Sequence, residues 1–185
     1  MSNSRSHRLE NAYKSARGEA LSNLANIPRC HNMLVPVQEN GLPVMIINLD
    51  STDIIQFLNG IDLNGQRADC LVVYREATAI IEIKASYPEK AIPQLRKTAE
   101  LLSGNWDRFL ALCGLPPSTP RPSSFYFCVE KGIGGSRYEV NNSGILVEKS
   151  RKGKSQGPVQ KVMGAPIMVY TRVQIDGEYR LHGER

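Results

Sequence analysis

The 185-residue chain carries 23 Lys and Arg against 18 Asp and Glu, a net charge of +5, with 41% hydrophobic and 22% charged residues. These proportions suit one globular domain with a real core, and the basic excess permits a polyanionic partner without requiring one. No apolar run approaches the roughly 20 residues of a membrane span, and the opening MSNSRSHRLENAYK lacks a signal-peptide core, so a cytoplasmic, intracellular protein with no membrane partner is expected.

Residues 1–8 read as disordered. From Leu9 to Asn26 the residues Leu9, Tyr13, Ala16, Ala20 and Leu24 recur at helical spacing, and Pro28 ends that helix. Two strand-like runs follow, Met33–Val37 and Leu42–Asn48, split by Glu39-Asn40-Gly41, a hairpin signal. Ser51–Leu58 reads as a short helix. Asp69–Tyr74 and Thr78–Lys84 are nearly continuous in apolar residues, which predicts central strands covered on both faces. Ile92, Leu95, Ala99, Leu102 and Trp106 form a second helical stripe, with Pro93 expected in its first turn. A Pro-rich connection over Leu115–Pro122 leads to strands at Phe125–Glu130 and Ile167–Ile175. Between these strands, Asn141–Gln160 reads as a basic mobile loop in which Lys149, Arg151, Lys152 and Lys154 are either solvated or phosphate-contacting.

Cys30, Cys70, Cys113 and Cys128 form no CxxC pair, and the last three sit in apolar runs, so they are read as small hydrophobes in a reducing compartment rather than zinc ligands. His7, His31 and His182 are scattered, and no GxxxxGK[ST], GxSxG or HExxH motif occurs.

The chemistry concentrates in the central hairpin. Glu82 and Lys84 are two apart on one strand and therefore share a face. A turn centred between Glu76 and Ala77 would pair Asp69 with Lys84 and Leu71 with Glu82, placing all three polar residues together, whereas a one-residue slip would move Asp69 to the opposite face. Burying two carboxylates and an ammonium is costly unless they are paired or bound. A cation such as Mg²⁺, for which Mn²⁺ can substitute, would meet that cost through Asp69, Glu82 and the Ile83 carbonyl. It would activate water and offset phosphodiester charge, with Lys84 orienting the water or stabilising the phosphate. The plainer alternative is a structural salt bridge of Lys84 with Asp69 or Glu82.

Asp69, twelve intervening residues and Glu82-Ile83-Lys84, the chain's one [DE]-x-K, resemble the PD-(D/E)xK nuclease superfamily of restriction endonucleases, Holliday junction resolvases and RecB-like nucleases. The resemblance spans about Leu9 to Glu130 and departs at Ala68, where proline often stands. It implies an α/β fold with the restriction-endonuclease-like αβββαβ core, a mixed central sheet flanked by helices, in a single nuclease domain over 1–185. It implies metal-dependent hydrolysis of DNA, with RNA a lesser alternative, and a homodimer would allow both strands to be cut. Some members add a metal-site Glu from the first helix, for which Glu19 is the candidate and Glu10 the reserve. RecB-like members place a Gln after the ExK and a Tyr four residues later; Gln94 fits the first position, and Thr98 stands at the second. The competing reading is a non-catalytic nucleic-acid- or partner-binding domain that retains the fold.

Overall fold

The computed structural model describes residues 29–30, 33–34, 45–59, 67–74, 76–84, 87–129, 133, 136–150, 157–173 and 178–181. In chain order its elements are β1 (Arg29–Cys30), β2 (Met33–Leu34), β3 (Met45–Asn48), α1 (Thr52–Asn59), β4 (Cys70–Val73), β5 (Thr78–Lys84), α2 (Pro88–Gly104), α3 (Trp106–Cys113), β6 (Pro122–Val129), β7 (Tyr138–Val140), β8 (Leu146–Glu148), β9 (Lys161–Val162), β10 (Ala165–Val173) and β11 (Glu178–Leu181). The fold is α/β. A six-stranded mixed sheet runs β11-β10-β6-β5-β4-β3, and β9 pairs additionally with β10. β5, β6 and β10 are mutually parallel, whereas β3, β4 and β5 form an antiparallel meander. A parallel β5–β6 pair needs a long crossover, and α2 and α3 supply it.

The apolar runs of β4 and β5 are buried on both faces, as continuous hydrophobicity predicts. On one face Leu71, Val73, Ile80, Phe125 and Phe127 pack with Ala91, Ile92, Leu95, Ala99 and Leu102 of α2. The opposite face gathers Cys70, Val72, Ala79, Ile81, Tyr126, Cys128 and Tyr170. The three polar hairpin residues project on the α2 side, because alternation along β5 puts Glu82 and Lys84 in phase with Ile80.

Several expectations are corrected. The hairpin turn is centred one residue earlier than expected: Val73 pairs with Thr78 and Cys70 with Ile81, and Tyr74 N–H donates to the Ala77 carbonyl. Each pairing therefore shifts by two residues, which brings Asp69 beside Glu82 rather than Lys84 and leaves every side chain on its expected face. α2 begins at Pro88, so Pro93 lies inside the helix, exposed on its outer side, where its ring meets solvent rather than core. Trp106 opens α3 instead of ending the preceding stripe; its indole N–H donates to the Thr119 carbonyl, and its ring stacks 5.7 Å from that of Phe109.

The segment expected as a mobile loop contains β8, in which Leu146 and Val147 are fully buried and pair against β7. Gln160 N–H donates to the Leu146 carbonyl, and Glu148 N–H donates to that of Pro158. Gly157 passes so close to Glu148 that a Cβ there would overlap the Glu148 carbonyl. Cys70 is buried in an apolar cluster as expected but is disulfide-bonded, against the reducing-compartment reading of the cysteines, whereas Cys113 and Cys128 are free. Among the described residues no helix is long and apolar enough to cross a membrane. The expected Leu9–Asn26 helix and the Glu39–Gly41 turn lie outside the described residues.

Candidate active site

The strands bring Asp69, Glu82 and Lys84 together where β5 ends. Asp69 immediately precedes β4, and its N–H donates to the Ile81 carbonyl across the hairpin at 3.1 Å. The half-buried Asp69 carboxylate bends over the end of β5, where its Oδ2 accepts the Ile83 N–H at 2.6 Å. Glu82 has no solvent exposure, and Lys84 Nζ ion-pairs with its Oε1 while keeping its side chain 29% exposed. Lys84 thus bridges a dry carboxylate and the solvent at the carboxyl end of a parallel strand, where open α/β sheets commonly hold ligands.

The electrostatics are strained in one direction. Both Glu82 oxygens are buried, with Oε1 paired to Lys84 and with Asp69 within hydrogen-bonding reach of the carboxyl group. Burial, then repulsion from Asp69, pushes Glu82 up to about 8, against the opposing pull of Lys84. Buried Cys128, paired with Ile83 on β6, is pushed up by burial and then by the same two carboxylates. Ionising Glu82 in this buried place beside Asp69 is therefore costly even with Lys84 paired to its Oε1.

These features fit a hard divalent cation. A buried carboxyl group beside a second carboxylate offers the oxygen donors that Mg²⁺ or Mn²⁺ prefers. Among the described residues no group of three or more His, Cys, Asp or Glu gathers; a cation held by Asp69 and Glu82 would complete its shell with main-chain, solvent or substrate oxygens. That is a common way for Mg²⁺ to be held beside phosphate.

Helix α2 contributes two further contacts. Gln94 Nε2 donates to the Arg67 carbonyl at 2.8 Å, and the Thr98 hydroxyl accepts the Ala68 N–H at 2.8 Å. One turn of α2 therefore grips the two residues before Asp69, and Thr98 is fully buried in doing so. Gln94, a candidate site residue, holds the backbone leading into Asp69. Thr98 is a positioning residue whose role has no local signal, since its partner lies 30 positions away. Its one sequence mark is helical spacing, four residues after Gln94 on the same side. Arg67 is itself ion-paired to Asp50 at 2.8 Å, at the rim beside Asp69, whose carbonyl accepts the Leu49 N–H.

Glu10, Glu19, Arg151, Lys152 and Lys154 lie outside the described residues. Lys149 follows β8, where its Nζ donates to the Ser136 carbonyl at 2.7 Å, and the Ser136 hydroxyl donates to Glu89 Oε1 at the start of α2. Comparison with protein-family models, with curated proteins and with solved structures finds no match for this chain, so the site stands on its own geometry.

Proposed function

We propose that the chain is a metal-dependent nuclease that hydrolyses phosphodiester bonds, with DNA as its favoured substrate and an endonuclease of restriction-like or structure-specific type as its form. The observation that carries this reading is the fully buried Glu82 carboxyl group, held between Asp69 and Lys84 at a strand end. Order supports it as well: β3, β4, β5, α2 and β6 follow in the sequence of the αβββαβ nuclease core, with α1 inserted after β3. The first helix of that core would be the Leu9–Asn26 segment.

Asp69, Glu82 and the Ile83 carbonyl would hold Mg²⁺ or Mn²⁺, which when bound supplies Lewis acidity and an activated water. The chain's own residues do the rest. Ile83 N–H fixes the Asp69 carboxylate, and Gln94 and Thr98 fix the backbone before it. Lys84, half in solvent, presents its ammonium to a phosphate approaching the strand end and stabilises the charge that builds on it during displacement. Thus Glu82 and Asp69 would be the metal ligands, and Lys84 the catalytic cation.

The test is cleavage of supercoiled plasmid and of branched DNA in Mg²⁺ or Mn²⁺ by wild type, Asp69→Ala and Lys84→Ala. Wild type is expected to cut and both variants to be crippled. Equal activity in all three removes the assignment. Binding of DNA by all three with cutting by none turns the reading into a non-catalytic binding domain.

A further inference from the structure

Three residues beyond Lys84, Tyr87 stands at the entry to α2 with 59% of its surface exposed, the most exposed large apolar side chain among the described residues. Three residues of chain span at most about 11 Å, so the Tyr87 Cα lies within that distance of the Lys84 Cα. Lys90, one turn along, places Nζ 5.7 Å from the Tyr87 ring centre. The same end of α2 meets more cations. Glu89 is engaged by the Ser136 hydroxyl, Lys149 reaches the Ser136 carbonyl, and Arg137 lies 4.9 Å over the Tyr138 ring while donating to its hydroxyl. The carboxylates acting on Arg137 are Glu148 and Glu89, and Glu89 already accepts from Ser136. An exposed aromatic ring beside Lys90, on a helix start whose Glu89 is tied through Ser136 to the segment bearing Arg137 and Lys149, has the composition of a single-strand binding surface: cations follow the backbone while a ring stacks on a base of any identity.

We propose that Tyr87 is a base-stacking platform for a single-stranded nucleic-acid segment adjoining the Glu82–Lys84 site, with Lys90, Arg137 and Lys149 contacting its phosphates. The proposal rests on the nuclease reading above and narrows its substrate class. A base can lie on Tyr87 only after leaving its duplex stack. The preferred substrates are therefore flaps, splayed arms and frayed ends rather than uninterrupted duplex. It also gives Lys149 its place: it is tied through Ser136 to the first turn of α2 instead of belonging to a detached loop.

Fluorescence anisotropy of the full chain in EDTA, with a labelled oligothymidine and a labelled blunt hairpin duplex, tests this. Tyr87→Ala is expected to weaken single-strand binding on the order of 10-fold, the loss of one stacked base, while leaving duplex binding within about twofold. Tyr87→Trp is expected to restore single-strand affinity, and Lys90→Ala to lower both affinity and its salt dependence. Equal losses on the two probes, no loss on either, or no single-strand binding by wild type would overturn the proposal. Cleavage by the same proteins in Mn²⁺ separates the two readings. A wild type that binds single strands through Tyr87 and never cuts keeps the platform and removes the nuclease. A wild type that cuts flapped and blunt DNA at equal rates, unaffected by Tyr87→Ala, keeps the nuclease and removes the platform.

Discussion

Replacing Glu82 with Gln exposes the strain in the site through its pH dependence. The native carboxyl keeps its proton up to about 8, whereas an ordinary glutamate releases it near 4.5. The folded chain therefore binds more protons than the unfolded chain between these values. Glu82 contributes its full stability below 4.5 and loses it as pH rises through about 8, with no further change above. That interval sets an upper bound of about 5 kcal/mol, and relaxation around the buried group makes 2–4 kcal/mol the expected order of magnitude. Gln has nearly the same shape and does not titrate, so Glu82→Gln lacks this decline. Thermal unfolding of both proteins in EDTA from about pH 5 to about pH 9 is the assay. Relative to wild type, the variant's melting temperature should rise by roughly 5–15 °C across that range for a chain of this size. Added Mn²⁺ should restore wild type at the alkaline end, because it binds only the folded carboxylates, and should leave the variant unchanged. A wild-type-to-variant difference that is flat with pH would refute the reasoning, since Glu82 would then be hydrated and no cation would be needed to relieve it.

Thr98→Val keeps shape but orphans the buried Ala68 N–H, which costs about 1–3 kcal/mol. Its cleavage rate should fall further than its stability, and Thr98→Ser should recover both, as read by melting temperature and single-turnover rate. Lys84→Ala should lower the single-turnover cleavage rate by about 10²–10³ with DNA affinity changed by only a few-fold, because its charge acts chiefly on the transition state. Gly157→Ala must push apart the close approach to the Glu148 backbone, and a loss of about 1–3 kcal/mol is expected in chemical denaturation.

The hairpin was legible because period-2 alternation determines faces, and faces are insensitive to a two-residue change of register. The turn placed one residue too late altered which residues stand opposite and spared the clustering of Asp69, Glu82 and Lys84. Glu82 in an unbroken apolar run already signalled a buried carboxylate. Thr98 did not show itself, because its only partner is a backbone N–H brought near by the packing of α2 on the sheet. β8 was hidden by composition: Ile145, Leu146 and Val147 lie amid Gly, Ser and Lys, and it is pairing with β7, with Val159 and, for Ile145, with Met168 that gives the segment its extended form. The break between α2 and α3 was missed because Trp106 continues the helical spacing, although Gly104 and Asn105 mark the interruption.

The central claim is that Asp69 and Glu82 share one divalent cation. Titration of the chain with Mn²⁺ at about pH 8.5, followed by electron paramagnetic resonance of free Mn²⁺, tests it most directly. One saturable site per wild-type chain, abolished in an Asp69→Asn variant with unchanged circular dichroism, is the predicted result. Absence of a saturable site in wild type, or identical titrations of the two proteins, would contradict it.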